Sequence, residues 1–336
     1  MASSVILKVA EIERLACNAL ERAGCRAESA RSLARAIASA ERDGLTAHGL
    51  AYLGTYCEHL ICGKVVGAAE PKVTRPKPGL VTVDAGSGFA HYAIDRGFVE
   101  LVPLARAQGI AALAIRNSYN CGVLGYHTER LAEQGLVGLG FTNAPASIAP
   151  SGGRKPVLGT NPWSISVPDG KGGAAISIDQ SASTVAKSEV MKAARKGEAI
   201  PLGWALDPDG KPTTDPALGL KGSMTPSGGY KGVGIALLVE LMAACLAGAT
   251  IGAKASPFGS NVGGPPKTGQ FFIAIDPGTA SGGLFAERLD MLVAAMTAEA
   301  GTHLPGQGRR AARTKSDRDG IAVDAEIHAM LMRLQA

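Results

Sequence analysis

The sequence predicts a mixed α/β protein with a partly antiparallel sheet, and three observations carry that reading. Apolar residues recur every 3.6 positions through the first 63 residues, which describes amphipathic helices. Residues 80–116 read as a strand, a helix and a strand, one β-α-β unit. The segment PDGKGG, residues 168–173, separates two short apolar runs and is a strong hairpin signal, so at least part of the sheet is antiparallel.

In order along the chain, Val9, Ile12, Leu15, Ala16 and Leu20 form one helical face, and Leu33, Ala34, Ile37 and Ala38 a second. Gly44 then caps a helix, and Thr46 is placed to N-cap a third helix over 47–61, closed by Gly63. Residues 71–79 hold three prolines and read as a loop before a strand at 80–85, a helix at 93–108 and a strand at 110–116. Strands are predicted at 137–142, 163–167 and 174–178, a helix ending at Gly197, and an irregular, proline-punctuated segment over 203–216. A long helix starting near Gly229 and running through Leu246, a strand at 270–275, and amphipathic helices at 285–298 and 321–334 complete the reading.

At 336 residues, and roughly 150 residues per domain, the chain has room for two domains and a sizeable core. Charged residues at 19% and apolar ones at 46% exclude a largely disordered chain. The net charge of +5 is too small for a nucleic-acid protein unless it is concentrated, and the dense run Arg309, Arg310, Arg313, Lys315 and Arg318 reads as a solvated tail. Met1–Val9 lacks the features of a leader peptide, so a cytoplasmic location is expected. The six cysteines show no metal-ligand spacing and read as reduced packing thiols, and no metal is expected. The apolar run 233–249 is interrupted by Glu240 and falls short of ~20 residues, so it reads as a buried core helix and not as a membrane span.

GSGFAH, residues 86–91, sits where a dinucleotide fingerprint belongs. His91 replaces its third glycine, and no acid follows the next strand, so it does not make a Rossmann site. P-loop, HExxH and GxSxG motifs are missing. His48 would lie in the first turn of the helix after Thr46, where the helix dipole would lower its pKa, and Tyr52, Tyr56 and His59 would continue the same stripe. The competing reading of that stripe is a half-buried surface with satisfied hydroxyls. GGYKG, residues 228–232, puts Lys231 at a glycine-opened helix start suited to an anion such as a phosphate, though a simple packing role fits as well. GTNP (159–162) and LPG (304–306) are turns on physical grounds.

Taken together, RDGLTAHG (42–49), NSYNCG (117–122), GGRKPVLGTNP (152–162), IDQSAS (178–183) with KSEVMKAARKGE (187–198), PSGGYKG (226–232) and HLPGQGRR (303–310) resemble the non-Rossmann malate/L-lactate dehydrogenase family. That family includes sulfolactate and ureidoglycolate dehydrogenases, diketogulonate reductase, and piperideine-2-carboxylate and pyrroline-2-carboxylate reductases. The resemblance implies a largely antiparallel, non-Rossmann NAD(P)-binding domain over 116–294. It also implies a helical substrate and dimerisation domain from 1–115 with 295–336, and a homodimer without membrane or nucleic-acid partners. It implies NADP or NAD as cofactor, His48 as proton donor and Glu189 as its relay partner. Tyr52, Asn120 and Thr160 fall on the substrate side. The cofactor would meet Asn120, Cys121, Gly122, Val123, Leu124, Thr160, Ile178, Asp179, Gln180, Ser181, Tyr230, Lys231, Leu304, Pro305, Gly306, Gln307, Arg309 and Arg310.

Three positions depart from the family pattern: Ala47 stands where serine is common, Tyr52 where arginine is common, and Asn120 where the NSxH histidine stands. The reading that follows is hydride transfer to a small 2-oxo acid or a cyclic imino acid. The alternative is a homologue that binds the cofactor without turnover.

Overall fold

Strand β1 (Ser4–Leu7) opens the computed structural model, which describes residues 4–335, so the start of the Met1–Val9 stretch lies outside the described residues. Helices α1 (Val9–Arg22) and α2 (Ala27–Arg42) follow, and the 3.6-residue periods become their buried stripes, Ile12, Leu15, Ala16 and Leu20 against Leu33, Ala34, Ile37 and Ala38. The single helix expected over 47–61 is instead two 3-10 turns, Thr46–His48 and Leu50–Tyr52, and then α3 (Leu53–Ile61). The break lies at Gly49, whose backbone (φ −97°, ψ −134°) is not helical. The side chain of buried Glu41 fills the space a Cβ would need there, and its Oε1 accepts a hydrogen bond from the Leu50 N–H at 2.7 Å.

The proline-rich stretch expected as a loop holds strand β2 (Lys72–Lys77), which pairs with β3 (Leu80–Asp84). It is an edge strand, where proline's missing N–H costs no ladder bond. Helix α4 (Ala90–Gln108) leads to β4 (Ile110–Ser118), and β3–β4 is the parallel pair of the β-α-β unit. Its turn, 86–89, packs under residues 66–69: Val66 N–H donates to the Ser87 carbonyl, and a Cβ on Gly88 would meet Ala69 at 2.8 Å. Helix α5 (Leu124–Glu133), β5 (Val137–Thr142) and the predicted hairpin β6 (Trp163–Pro168) and β7 (Ala174–Gln180) follow.

Helix α6 (Lys187–Lys196) ends at Gly197 in the left-handed conformation, as read from the sequence. The segment expected to be irregular contributes β8 (Ala205–Leu206) and β9 (Pro212–Thr213), then α7 (Pro216–Lys221) and β10 (Ser223–Met224), with the three strands in a small sheet. Helix α8 (Tyr230–Glu240) runs into a π-helix, Leu241–Leu246. This apolar run is buried along one face only. Ala236, Val239, Ala243 and Ala244 are buried, whereas Leu237, Leu238, Leu241 and Leu246 are exposed. Among the described residues no helix is long and apolar enough to cross a membrane.

Strand β11 (Thr268–Ile275) inserts antiparallel between β4 and β5, and completes a seven-stranded sheet of order β2-β3-β4-β11-β5-β6-β7. All its pairs but β3–β4 are antiparallel, as the largely antiparallel expectation required. The boundary expected near residue 115 falls inside β4, which pairs on both sides. Helices α9 (Pro277–Ser281) and α10 (Phe285–Met296) follow, and α10 buries none of its residues.

The end of the chain differs most from the sequence reading. The basic run is not a solvated tail but helix α11 (Gln307–Asp319), because its arginines find carboxylates elsewhere in the chain. Arg313 bridges Asp43 at 2.6 Å and Glu129 at 2.9 Å, and Arg309 meets Glu129 at 3.3 Å. The helix expected over 321–334 is strand β12 (Ile321–Asp324), paired antiparallel with β1, and then α12 (Ala325–Arg333). Ile321 and Val323 alternate inward and join the α1–α2 core, a period of two that overrides the helical reading.

Candidate active site

His48 lies at the end of the first 3-10 turn, with its N–H on the Leu45 carbonyl at 2.9 Å. No α-helix starts beneath it, so the helix-dipole argument does not apply. The residue is exposed, yet the surrounding protein removes enough water from the imidazole to lower its pKa. The charges of Asp179 and then Glu189 oppose that shift. Asp179 was expected only as a cofactor contact. Burial raises its carboxyl pKa above the usual range, against the Gly125 N–H, which donates to Oδ2 at 2.7 Å, and the charge of Arg309.

The expected cofactor segments meet at the end of β7. Residues 120–125 reach it through the Gly125–Asp179 hydrogen bond. The 304–310 segment reaches it through Ser177 N–H on the Pro305 carbonyl at 3.3 Å and Arg309 on Ser177 Oγ at 2.8 Å. Ala182 N–H donates to the Thr160 carbonyl at 2.8 Å, and Ser227 N–H to the Ala182 carbonyl at 2.9 Å, which brings in the approach to α8. There Gly229, at φ +66°, opens the helix with no side-chain cap, and Tyr230 and Lys231 are exposed at its first turn. An uncapped helix start with an adjacent lysine suits a phosphate, so these residues fit a dinucleotide. Arg310 donates to the Ala174 carbonyl at 3.3 Å, while Arg309 is held by Ser177 and Glu129.

Two further expected residues are held from behind. Asn120 Oδ1 accepts from Tyr56 Oη at 2.9 Å and from Gly122 N–H at 3.2 Å, which fixes the turn. Tyr52 donates its hydroxyl to the Phe258 carbonyl at 2.9 Å and packs edge-on against Tyr56. The stripe read from the sequence is therefore an aromatic cluster of Tyr52, Tyr56, Phe89, Tyr119 and Phe258, with His59 bonded to the Tyr119 hydroxyl, and the Gly49 break separates it along the chain from His48.

Sequence reasoning missed the residues that support the site. Glu240, read only as an interruption of an apolar run, is buried; it accepts from Asn161 Nδ2 at 2.7 Å and Gly252 N–H at 2.6 Å, and so pins the residue after Thr160 at its positive φ of 36°. Behind the 120–124 turn, His91 and His127 are buried with ring centroids 5.4 Å apart. A lone charge inside an apolar run was the available signal for the first. Nothing local marked the second.

The profile of the family described as malate/L-lactate dehydrogenase matches residues 7–332. The chain belongs to that family. A (2R)-3-sulfolactate dehydrogenase (NADP(+)) of Chromohalobacter salexigens is 44% identical over 310 residues, 92% of each chain. A Delta(1)-pyrroline-2-carboxylate reductase of Ancylobacter novellus is 40% identical and covers 99% of this chain and 98% of its own. The crystal structure of the delta1-piperideine-2-carboxylate reductase from Pseudomonas syringae pvar. tomato superposes with a TM-score of 0.93 at 35% identity, over 98% of this chain and 99% of that one. This member of the malate/L-lactate dehydrogenase family is accordingly an NAD(P)-dependent oxidoreductase.

Proposed function

We propose that the protein reduces the C=O of a small 2-oxo acid or the C=N of a cyclic 2-imino acid, with His48 as proton donor. The observation that carries this reading is the meeting of the 120–125, 177–182 and 304–310 segments at the end of β7, with His48 exposed on its turn and the charge of Asp179 from that strand end acting on it. A bound nicotinamide dinucleotide supplies the hydride. Asn120–Leu124, Thr160, Ile178–Ser181, Tyr230, Lys231 and Leu304–Arg310 would hold it, with Lys231 and Arg310 suited to its phosphates.

Burial lowers the His48 pKa while the charges of Asp179 and Glu189 oppose that shift, so an imidazole that gives up its proton readily faces two groups that favour its protonated form. Glu189 is the relay partner in this reading. The sulfolactate, pyrroline-2-carboxylate and piperideine-2-carboxylate relatives share one substrate element, a reducible or oxidisable carbon next to a carboxylate, and that element is what we assign here. Whole-length relatives named as dehydrogenases and reductases lend no support to a homologue without turnover.

A homodimer belongs to the same proposal. The exposed Met291, Leu292 and Met296 of α10, which buries nothing within its own chain, and Leu237, Leu238 and Leu241 of α8 and the π-helix are apolar faces that a second copy would cover. A cytoplasmic setting suits the six unpaired thiols. The deciding experiment follows NADPH and NADH oxidation by absorbance against pyruvate, oxaloacetate, sulfopyruvate, phenylpyruvate and the two cyclic imines. Oxidation with one of them is the expected result; none with any of them would refute the reading.

A further inference from the structure

An anionic substrate beside His48 meets two acids, Asp179 and Glu189, and needs a cation to offset them. Most candidates are already engaged. Arg309 and Arg313 are paired with Glu129, Lys187 donates to Ser147 Oγ at 3.1 Å, and Lys64 donates to the carbonyls of Ser260 and Val262 at 2.6 and 2.7 Å. Tyr52 brings no charge, and its hydroxyl proton goes to the Phe258 carbonyl.

Arg195 is different. It is exposed near the end of α6 and, among the described residues, has no carboxylate within ion-pair distance. Ser188, Met191 and Arg195 stand at i, i+3 and i+7 and so share one stripe of α6. That stripe faces the site. The Met191 methyl lies against Gly259, where a Cβ would be 3.2 Å from it, and Gly259 follows the residue whose carbonyl receives the Tyr52 hydroxyl. The positive field of Arg195 acts on Tyr52 itself, and the Ser188 hydroxyl on the same stripe is buried without a hydrogen-bond partner.

We propose that Arg195 binds the substrate carboxylate, its planar guanidinium closing from α6 over Tyr52. The proposal rests on the anionic substrate class assigned above. It makes Arg195 a specificity-determining residue: a two-pronged donor fork for a carboxylate, supplied from the opposite wall to the turn that carries His48.

The test compares wild type with Arg195→Leu, Arg195→Lys and, as a charge control at the exposed end of α7, Lys221→Leu. Steady-state reduction is measured with the acid the enzyme uses and with its uncharged amide. In parallel, thermal shift in the presence of NADPH reads binding of the non-reducible pyrrole-2-carboxylate and of its carboxamide. Arg195→Leu is expected to raise KM for the acid roughly 10- to 100-fold, the loss of one charged hydrogen-bonding partner, and to abolish protection by pyrrole-2-carboxylate. KM for NADPH and for the amide should stay within about twofold, Arg195→Lys should recover part of the loss, and Lys221→Leu should behave as wild type. An unchanged KM for the acid in Arg195→Leu, or an equal rise for acid and amide, overturns the proposal while leaving the function standing. Wild type that binds pyrrole-2-carboxylate through Arg195 yet reduces no substrate upholds the carboxylate site and overturns the function instead.

Discussion

Acid should unfold this protein from behind the 120–124 turn. His91 on α4 is buried, and neither of its ring nitrogens meets a partner at hydrogen-bonding geometry. Burial pushes its pKa down to about 4. In the unfolded chain the same imidazole binds its proton near 6.5, so below that pH the unfolded state takes up a proton that the folded state refuses. Stability from this group is whole above about pH 6.5 and drains away as the pH falls towards 4. The interval is worth roughly 3 kcal/mol in all, and about 2.5 kcal/mol of it is gone by pH 4.5. His127, 5.4 Å away, is also held far below its usual value by burial and adds to the slope. The assay is urea unfolding at pH 7.0 and 4.5 for wild type and His91→Gln. The variant starts less stable because the cavity is refilled imperfectly, but it should lose roughly 2.5 kcal/mol less on acidification. Equal losses in the two proteins would show that His91 takes up no proton on unfolding, and would refute the reasoning.

Replacing His48 with asparagine should lower the catalytic rate by roughly 10²–10⁴ and leave cofactor affinity within a few-fold, measured as kcat and NADPH Kd; near-wild-type turnover would remove His48 from the mechanism. Lys231→Ala should raise the cofactor KM more than it lowers kcat, because a phosphate contact at the α8 start acts in ground and transition states alike; a collapsed kcat at unchanged cofactor KM would assign Lys231 to the chemistry. Glu240→Ala orphans the buried donors of Asn161 and Gly252 and should cost about 3 kcal/mol or more in chemical unfolding; a loss below about 1 kcal/mol would mean that water replaces the carboxylate.

Much of this architecture is written in local pattern. The α1 and α2 stripes, the β-α-β unit, the PDGKGG hairpin and the α8 start at Gly229 all follow from spacing and turn chemistry, and the structure has each of them. What escaped depends on partners distant in sequence. QGRRAARTKSDRD has no apolar stripe, and α11 holds through carboxylates on α5 and at the end of α2. Four-residue β1 and β12 have no pattern that tells one of the other. At the site, His48 was legible as a residue and its surroundings were not: the break at Gly49 comes from Glu41 packing into the turn, and Asp179 arrives from the far end of β7.

The pairing of the first strand with the last sets the order in which the molecule matures. Once β11 has left the ribosome every strand of the large sheet has been made, and hairpins and short crossovers can assemble it. The first segment must wait for its ties to the last. Asp43, just upstream of the His48 turn, is tied to Glu129 only through Arg313, and β1 has nothing to pair with until residues 321–324 appear. A nascent or prematurely ended chain therefore carries the strands of the large sheet with β1 unpaired and the Asp43–Arg313–Glu129 tie still open, and the closing of the first segment against the last is the final step of assembly.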